Sequence, residues 1–340
     1  MTNTQPSLIF RCEEWQNDNC YLYQTPTVVE TQFFTMSTIL VTGGLGAVGS
    51  QLTKELEERG HDVWVADLPW SERDKYYRCD VSEYRQLANI FEQREFEYVY
   101  HLAAEFGRKN GEDFYETMWQ SNAIGTKNML RLQRDHGFRM VFSSSSEVYG
   151  DYDDVMTEDV PKTKAVRQLN DYAISKWVNE QQILNAADRY ETETVRVRLF
   201  NTYGPGEKYS EYRSVIAKFC YRALHGEPYH VYEDHHRSFT YVDDTIRTLA
   251  NIADNFQPGE VYNIAGQEYH GIKELSDMVL DYLGKDDSKV KYRGTEEHNT
   301  LNKRASVERA KRDLNHEATV SLEEGIPKTI EWMRDYYDIE

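Results

Sequence analysis

The chain is 340 residues long with 39% hydrophobic residues, enough for a full core in two domains or in one large α/β unit. Its 39 Lys and Arg against 58 Asp and Glu give a formal net charge of -19, which opposes nucleic acid and anionic membranes, so an anionic ligand has to meet a local basic cluster. No apolar run reaches the roughly 18 residues of a membrane span, and Cys12, Cys20, Cys79 and Cys220 lack metal-ligand spacing, which predicts free thiols in a reducing, cytoplasmic compartment and no metal.

Residues 1–35 lack an apolar signal core and carry Glu13, Glu14, Asp18 and Glu30; they are expected to be a poorly ordered extension rather than a signal or transit peptide. The β-branched run 38–41 reads as a strand, Thr42-Gly43-Gly44-Leu45-Gly46-Ala47-Val48-Gly49 as a glycine turn, and 50–59 as a helix stopped by Gly60. A second strand over 62–67 ends on the acid Asp67. Strand, glycine turn, helix and acid-ended strand form the dinucleotide fingerprint, in which bare glycines let backbone N–H groups approach a pyrophosphate at the positive helix end. Asp67 favours NAD over NADP, since its carboxylate accepts from ribose hydroxyls and repels a 2′-phosphate; Arg73 is the one nearby cation able to reach over.

The alternation goes on with a third strand closed by Cys79-Asp80, a helix over 82–94, a fourth strand over 98–104 with small residues at its end, and a helical region over 114–136. Strand 138–142 runs into Ser143-Ser144-Ser145-Ser146-Glu147, where the serines either cap backbone or meet a ligand. A helix over 171–190, capped by Asn170 or Asp171, puts Tyr172 and Lys176 on one face at i, i+4. Strand 194–200 ends at the breaker cluster 201–206. Beyond it come a helix over 213–225, a strand over 229–232, an extended 237–242, a helix capped by Asp243 or Asp244, a strand over 261–264, and helices over 272–283 and 322–337. His101, His225 and His270 stand alone and read as packing residues. The fold class is α/β: a Rossmann-like doubly wound parallel sheet (36–202 plus 237–266, holding NAD) with a smaller, discontinuous α/β substrate-binding domain (203–236 plus 267–340).

Over residues 36–337 these motifs resemble the extended short-chain dehydrogenases of the nucleotide-sugar epimerase/dehydratase group. The resemblance is carried by Gly43-x-x-Gly46-x-x-Gly49, Asp80-Val81, His101-Leu102-Ala103-Ala104, Asn122 with Gly125-Thr126, Ser145 before Val148-Tyr149-Gly150, Tyr172-x-x-x-Lys176, Asn201-x-Tyr203-Gly204-Pro205 and Arg237-x-Phe239-x-Tyr241-Val242-Asp243-Asp244. It implies NAD held by Gly43, Gly46, Ala47, Val48, Gly49, Asp67, Asp80, Val81, Leu102, Ala103, Ala104, Asn122, Tyr172 and Lys176. It also implies Tyr172 as base and acid, its phenolate favoured by the Lys176 ammonium and the nicotinamide charge. Ser145 would hold the oxygen that becomes a carbonyl. Ser146, Asn201, Lys218, Phe219, Tyr232, Arg237 and Arg304 would contact a nucleotide-diphosphate sugar, with the two arginines on the diphosphate. A homodimer through the helices near 114–136 and 171–190 belongs to the same expectation.

Members of this group oxidise a sugar hydroxyl first and differ in how the keto sugar is then used. Sugar 4,6-dehydratases have an Asp where this chain has Ser146, which argues against loss of water. The UDP-glucuronate decarboxylases resemble the chain in Ser146 and Glu147, with Thr in place of Ser145, whereas simple 4-epimerases have Ser145 without the Glu. GDP-mannose 3,5-epimerase resembles it around Ala217-Lys218-Phe219-Cys220 and Arg237-Ser238-Phe239-Thr240. The expectation is a nucleotide-sugar epimerase with Glu147 as a candidate second base, then a decarboxylase or dehydratase, and, from another class, a non-catalytic NAD-binding regulator.

Overall fold

The computed structural model describes residues 36–339; the expected extension 1–35 lies outside them. Seven parallel strands form the central sheet: β1 Thr38–Thr42, β2 Asp62–Asp67, β3 Tyr76–Arg78, β4 Tyr98–His101, β5 Arg139–Ser145, β6 Thr194–Leu199 and a seventh, Val261–Ile264. Their spatial order is seventh, β6, β5, β4, β1, β2, β3. The chain leaves β1 toward one edge and returns to its other side with β4, so a crevice opens between the C-terminal ends of β1 and β4. Every residue of β4 is buried, as helices on both faces require. Along β1 the side chains alternate: Ile39 and Val41 pack with Leu52, Leu56 and Ile246 on one face, and Leu40 with Leu87, Met129 and Ile183 on the other.

The differences from the expected elements have local causes. The third and fourth strands stop at Arg78 and His101, leaving Cys79-Asp80 and Leu102-Ala103-Ala104 as irregular backbone facing the crevice. The helical region 114–136 is interrupted by a π-helical stretch, Trp119–Ile124, before Gly125–His136. Asn170 caps Asp171–Tyr190 by accepting from Ala173 N at 2.9 Å. Helix Val242–Asp254 starts before the two expected caps, so Asp243 and Asp244 occupy its first turn. There Asp244 accepts from Thr319 N and Val320 N, at 2.9 and 3.2 Å, and holds the C-terminal segment instead. Four pairings went unforeseen: Val290–Arg293 beside Tyr229–Tyr232, Asn302–Lys303 and Tyr269–Gly271 beside His236–Ser238, and Thr240–Tyr241 beside Thr202–Tyr203.

Under the sheet's C-terminal edge lies a buried charge pair. Arg198 of β6 donates to both oxygens of Glu180, at 2.9 and 2.8 Å, with the side chains 1% and 4% exposed. Ser144 of β5 donates to the same carboxylate at 2.6 Å. Arg198 also donates to Tyr149 Oη at 3.0 Å, and Tyr149 passes a bond to Asn263 of the seventh strand at 2.6 Å. One carboxylate thus fixes helix Asp171–Tyr190 against two strands. Burial drives the Glu180 carboxyl up, but Arg198, with Arg196 and Ser144, outweighs it and holds it below the ordinary range. Replacing Glu180 with Gln leaves Arg198 and Arg196 buried without their anion, and the expected cost is about 3–5 kcal/mol. Denaturant unfolding measures it; a midpoint equal to wild type would mean the pair is not a structural anchor.

Candidate active site

The glycine turn is shaped by two close approaches. Gly43 has φ +72° and a Cβ there would lie 2.7 Å from Ala103 N; a Cβ on Gly49 would lie 2.1 Å from Gly43 O. Side chains are therefore excluded where the turn meets β4 and where the helix Ala47–Glu58 begins. That helix has no side-chain cap at Gly46, so its first N–H groups stay available to an anion. Asp67 Oδ2 accepts from Leu45 N and Oδ1 from Leu68 N, both at 2.8 Å, which orients the carboxylate and leaves lone pairs for ribose hydroxyls. Arg73 pairs with Glu57 instead of reaching toward Asp67.

A cavity of about 340 Å³ opens at this turn, lined by Gly43, Gly46, Ala47, Val48, Gly49, Asp67, Asp80, Val81, Leu102, Ala103 and Ala104 and, at its far end, by Ser145, Tyr172 and Lys176. A phosphate-binding turn, an acid for a ribose and a Tyr–Lys pair in one cavity fit NAD. Asn122 is placed differently. Its amide accepts from Glu105 N at 2.8 Å and donates to Glu105 O and Ser175 Oγ, at 2.9 and 3.0 Å. It fastens the loop after β4 to the helix of Tyr172, behind the cavity wall.

A second cavity of about 720 Å³ adjoins the first, and Ser145 and Tyr172 line both. Ser146, Glu147, Asn201, Lys218, Phe219, Tyr232 and Arg237 line the larger one. Eight Lys and Arg side chains against four glutamates surround it, which supplies the local basic cluster that a chain of charge -19 needs for an anionic ligand. Asn201 holds a φ of +41° while its amide donates to Ser238 O at 2.8 Å. Arg237 is 5% exposed; Nη1 donates to His236 O and Leu301 O at 2.9 and 2.6 Å, and Nη2 to Asn299 Oδ1 at 3.1 Å.

Arg304 is exposed and lies outside the lining residues, its guanidinium 5.9 Å from the Tyr269 ring centre. Side chains alternate along Asn302–Lys303 and its continuation, so the inward cation is Lys303, 3% exposed on its side chain and ion-paired with Glu147. Arg213 and His235 are among the further lining residues not singled out from the sequence. Arg213 lines both cavities with its guanidinium 4.1 Å from the Phe106 ring centre. His235 is buried; it accepts from Glu296 N on Nε2 at 2.8 Å and donates from Nδ1 to Thr300 O at 3.1 Å, beside Arg237. The alternation of a short edge strand could have pointed to Lys303; nothing local pointed to Arg213.

Burial sets the charges. Lys176 Nζ donates to Ser143 O at 2.8 Å, and burial brings its ammonium down to about 7. Burial pushes the Tyr172 phenol up to about 12, against the Ser145 hydroxyl, which pulls it down; the Glu147 charge adds to the rise. For Glu147 burial works upward, but Lys303 and then Arg237 outweigh it and hold the carboxyl below its usual range. Arg237 itself is brought down to about 10 by burial. Without NAD, therefore, Tyr172 stays protonated at neutral pH. The tyrosinate absorbance difference between wild type and Tyr172→Phe is expected near pH 12. Added NAD is expected to move it down by about one unit or more, because a positive charge within about 4–6 Å favours the phenolate. An unmoved titration would separate the cofactor charge from the base.

The sequence model of the NAD dependent epimerase/dehydratase family matches residues 39–265. A UDP-N-acetyl-alpha-D-glucosaminuronate decarboxylase of Bacillus cytotoxicus is 31% identical over 323 residues, 87% of this chain and 97% of that protein. A UDP-glucuronate 4-epimerase of Thermodesulfobacterium geofontis is 27% identical over 326 residues, covering 89% and 98%. Among solved structures, the UDP-glucose 4-epimerase of Thermus thermophilus in complex with NAD superposes with a TM-score of 0.79 at 26% identity, covering 87% and 99%. The glycine cradle, the Tyr172–Lys176 helix and these matches agree: the chain belongs to the NAD-dependent epimerase/dehydratase family.

Proposed function

We propose that this chain oxidises the sugar of a nucleotide-diphosphate hexuronate to a 4-keto sugar, which then loses its carboxylate, making it a nucleotide-sugar decarboxylase. The observation that carries the reading is Glu147 ion-paired with Lys303 beside Arg237 in the cavity that Ser145 and Tyr172 share with the cofactor side. Ser145 holds the reacting hydroxyl and Tyr172 takes its proton, with Lys176 favouring the phenolate. Bound NAD supplies the acceptor for the hydride and later its donor.

The fate of the keto sugar depends on the groups beside it. Ser146 offers no carboxylic acid to a leaving hydroxyl, which speaks against dehydration. Glu147, held as an anion below its ordinary range, is a weak base for pulling a proton from carbon, so epimerisation next to the ketone loses its candidate second base. A carboxylate β to a ketone needs no base, because the electrons of the breaking carbon–carbon bond flow into the carbonyl. The relative that is 31% identical is a decarboxylase, and the Ser146-Glu147 pair matches that group's motif.

Plain 4-epimerisation is the second reading. It also needs no second base, Ser145 matches the 4-epimerases, and the superposed T. thermophilus protein is one. It requires the sugar to turn over between the two hydride steps. The helical segments Trp119–Ile124 and Asp171–Tyr190 leave Ile124 at 52% and Trp177 and Leu184 at 37% exposure; we assign this apolar face to a second copy of the chain.

Incubated with UDP-glucuronic acid and NAD, the protein is expected to release carbon dioxide; an unchanged product mass with inverted configuration would replace this reading by epimerisation. Tyr172→Phe should keep NAD and lose turnover by about 100-fold or more, whereas full turnover would remove Tyr172 from the chemistry. Trp177→Asp with Leu184→Asp should lower the mass in solution from dimer to monomer by light scattering, and a wild type already monomeric would refute the assigned face.

A further inference from the structure

The wall of the larger cavity carries more positive charge than its own acids balance. Arg108 pairs with Glu296, Arg222 with Glu211 and Lys303 with Glu147. The fourth glutamate of the wall, Glu207, accepts from Ser214 N and Oγ at 3.0 and 2.7 Å. Lys109, Arg213, Lys218, Arg237 and Lys291 are left without an ion-pair partner among the described residues. These five are graded by burial: Lys109 and Lys291 are exposed, Arg213 and Lys218 half-buried, and Arg237 buried.

Two separate elements carry the exposed pair, and each is fixed in place. Lys109 belongs to the short helix Arg108–Asp113, which Asn110 fastens by donating to Glu105 Oε2 at 2.7 Å. Lys291 belongs to the strand Val290–Arg293, in register with the exposed His230 of Tyr229–Tyr232. His230 reports the field around it. Burial lowers its pKa, and Arg293, Lys291, Lys109 and Arg222 each lower it further, so the ring is neutral at pH 7 and the charge of the rim is that of the lysines. Glu211, the acid whose charge reaches Lys109, is already shared by Arg222 and Tyr209.

An exposed ammonium holds a seated anion poorly, because water and salt screen it. It still acts on an anion that is approaching, since charge at the mouth of a low-dielectric cleft focuses the field outward. Resting on the reading of the ligand as a nucleotide-diphosphate sugar, we propose that Lys109 and Lys291 form a capture rim, which draws the polyanion to the mouth of the larger cavity and hands it to the more buried cations. On a chain of formal charge -19 the long-range field opposes such a ligand, so an entry point of reversed sign governs how often an encounter succeeds. Charges at a rim act on the association rate and its salt dependence, whereas buried charges act on dissociation. The rim therefore sets kon, and Arg237 with its buried neighbours sets koff.

The test is stopped-flow binding of UDP carrying a fluorescent N-methylanthraniloyl group on its ribose, with the full chain and NAD. Lys109→Glu with Lys291→Glu reverses the rim. Lys54→Glu with Lys162→Glu makes the same change of net charge at two exposed lysines that line neither cavity. At about 20 mM salt the rim variant is expected to bind about tenfold or more slowly than wild type, with koff within about twofold of it. The control variant is expected to keep a kon close to wild type, and in about 0.5 M salt all three should converge as screening removes the field. A wild-type kon in the rim variant, a loss that appears in koff instead, or an equal slowing in the control would each overturn the capture rim. A wild type that does not bind the probe overturns it together with the nucleotide-sugar reading, so the unmutated protein tells the two failures apart.

Discussion

The bidentate pair of Glu180 with Arg198 is the contact on which the geometry of the site depends. Tyr172, Lys176 and Glu180 are spaced four residues apart on one helix, so the turn that holds the anchor sets the height of the two that line the smaller cavity. Because Ser144 donates to the same carboxylate, the helix and the strand end bearing Ser145 are locked to one another. A buried ion pair is a poor source of net stability, since desolvation consumes most of the attraction. Its value here is directional: two charges that cannot be left unpaired permit one register between helix and sheet. Arg196, whose Nε has no partner among the described residues and whose pKa burial lowers, reflects the strain of placing a second guanidinium beside a single carboxylate.

Two lysines serve the same region in opposite electrostatic settings. Lys176 is buried against a carbonyl and has no carboxylate partner among the described residues, so burial alone brings it to about 7. Its positive charge is costly on its own and is stabilised when an electron-rich phenolate forms beside it. Lys303 is buried with Glu147, so the pair stays ionic and the local field is nearly balanced. A lysine without an anion responds to the charge of its neighbours, whereas a lysine with one is held ready as an ammonium. The same fold edge thus carries one lysine that responds to neighbouring charge and one that a carboxylate holds.

Much of this was legible in the sequence, for reasons that particular residues make plain. Glycines at 43 and 49 are readable because no other side chain fits the approach to Ala103 and to the turn itself, and the strand periodicity around them is local. Tyr172 and Lys176 are readable because helix spacing is local too. The element ends at His101 and Arg78 and the π-helical stretch at Trp119–Ile124 were missed; they are set by packing against neighbours rather than by propensity. Arg304 and Lys303 show the limit most sharply. They are adjacent in sequence, and which one enters the cavity is decided by a two-residue strand whose partner lies some 66 positions earlier, at Arg237. Asn122 has the right neighbours in sequence, yet its amide is used by the backbone of Glu105, which only the folded loop reveals.

The charge balance of the chain explains why the cavity wall is built from distant segments. A protein of formal charge -19 repels an anionic ligand at long range, so recognition of one relies on cations whose own acids are kept at a distance or already used. Arg237 comes from one short strand, Lys303 from the strand beside it, Lys218 from the helix Val215–Leu224 and Arg213 from the turn before that helix. Brought together only by folding, they build a positive concavity inside a negative surface. Burial strengthens it, because low dielectric makes each cation act farther than it does in water. It also limits it: Arg237 is already down to about 10, and a further buried cation without an anion would lose its proton before it gained a ligand. Glu147 answers that limit by sharing the wall with Lys303, so the Glu that marks the motif after β5 is first a means of keeping a second cation charged in the cavity wall.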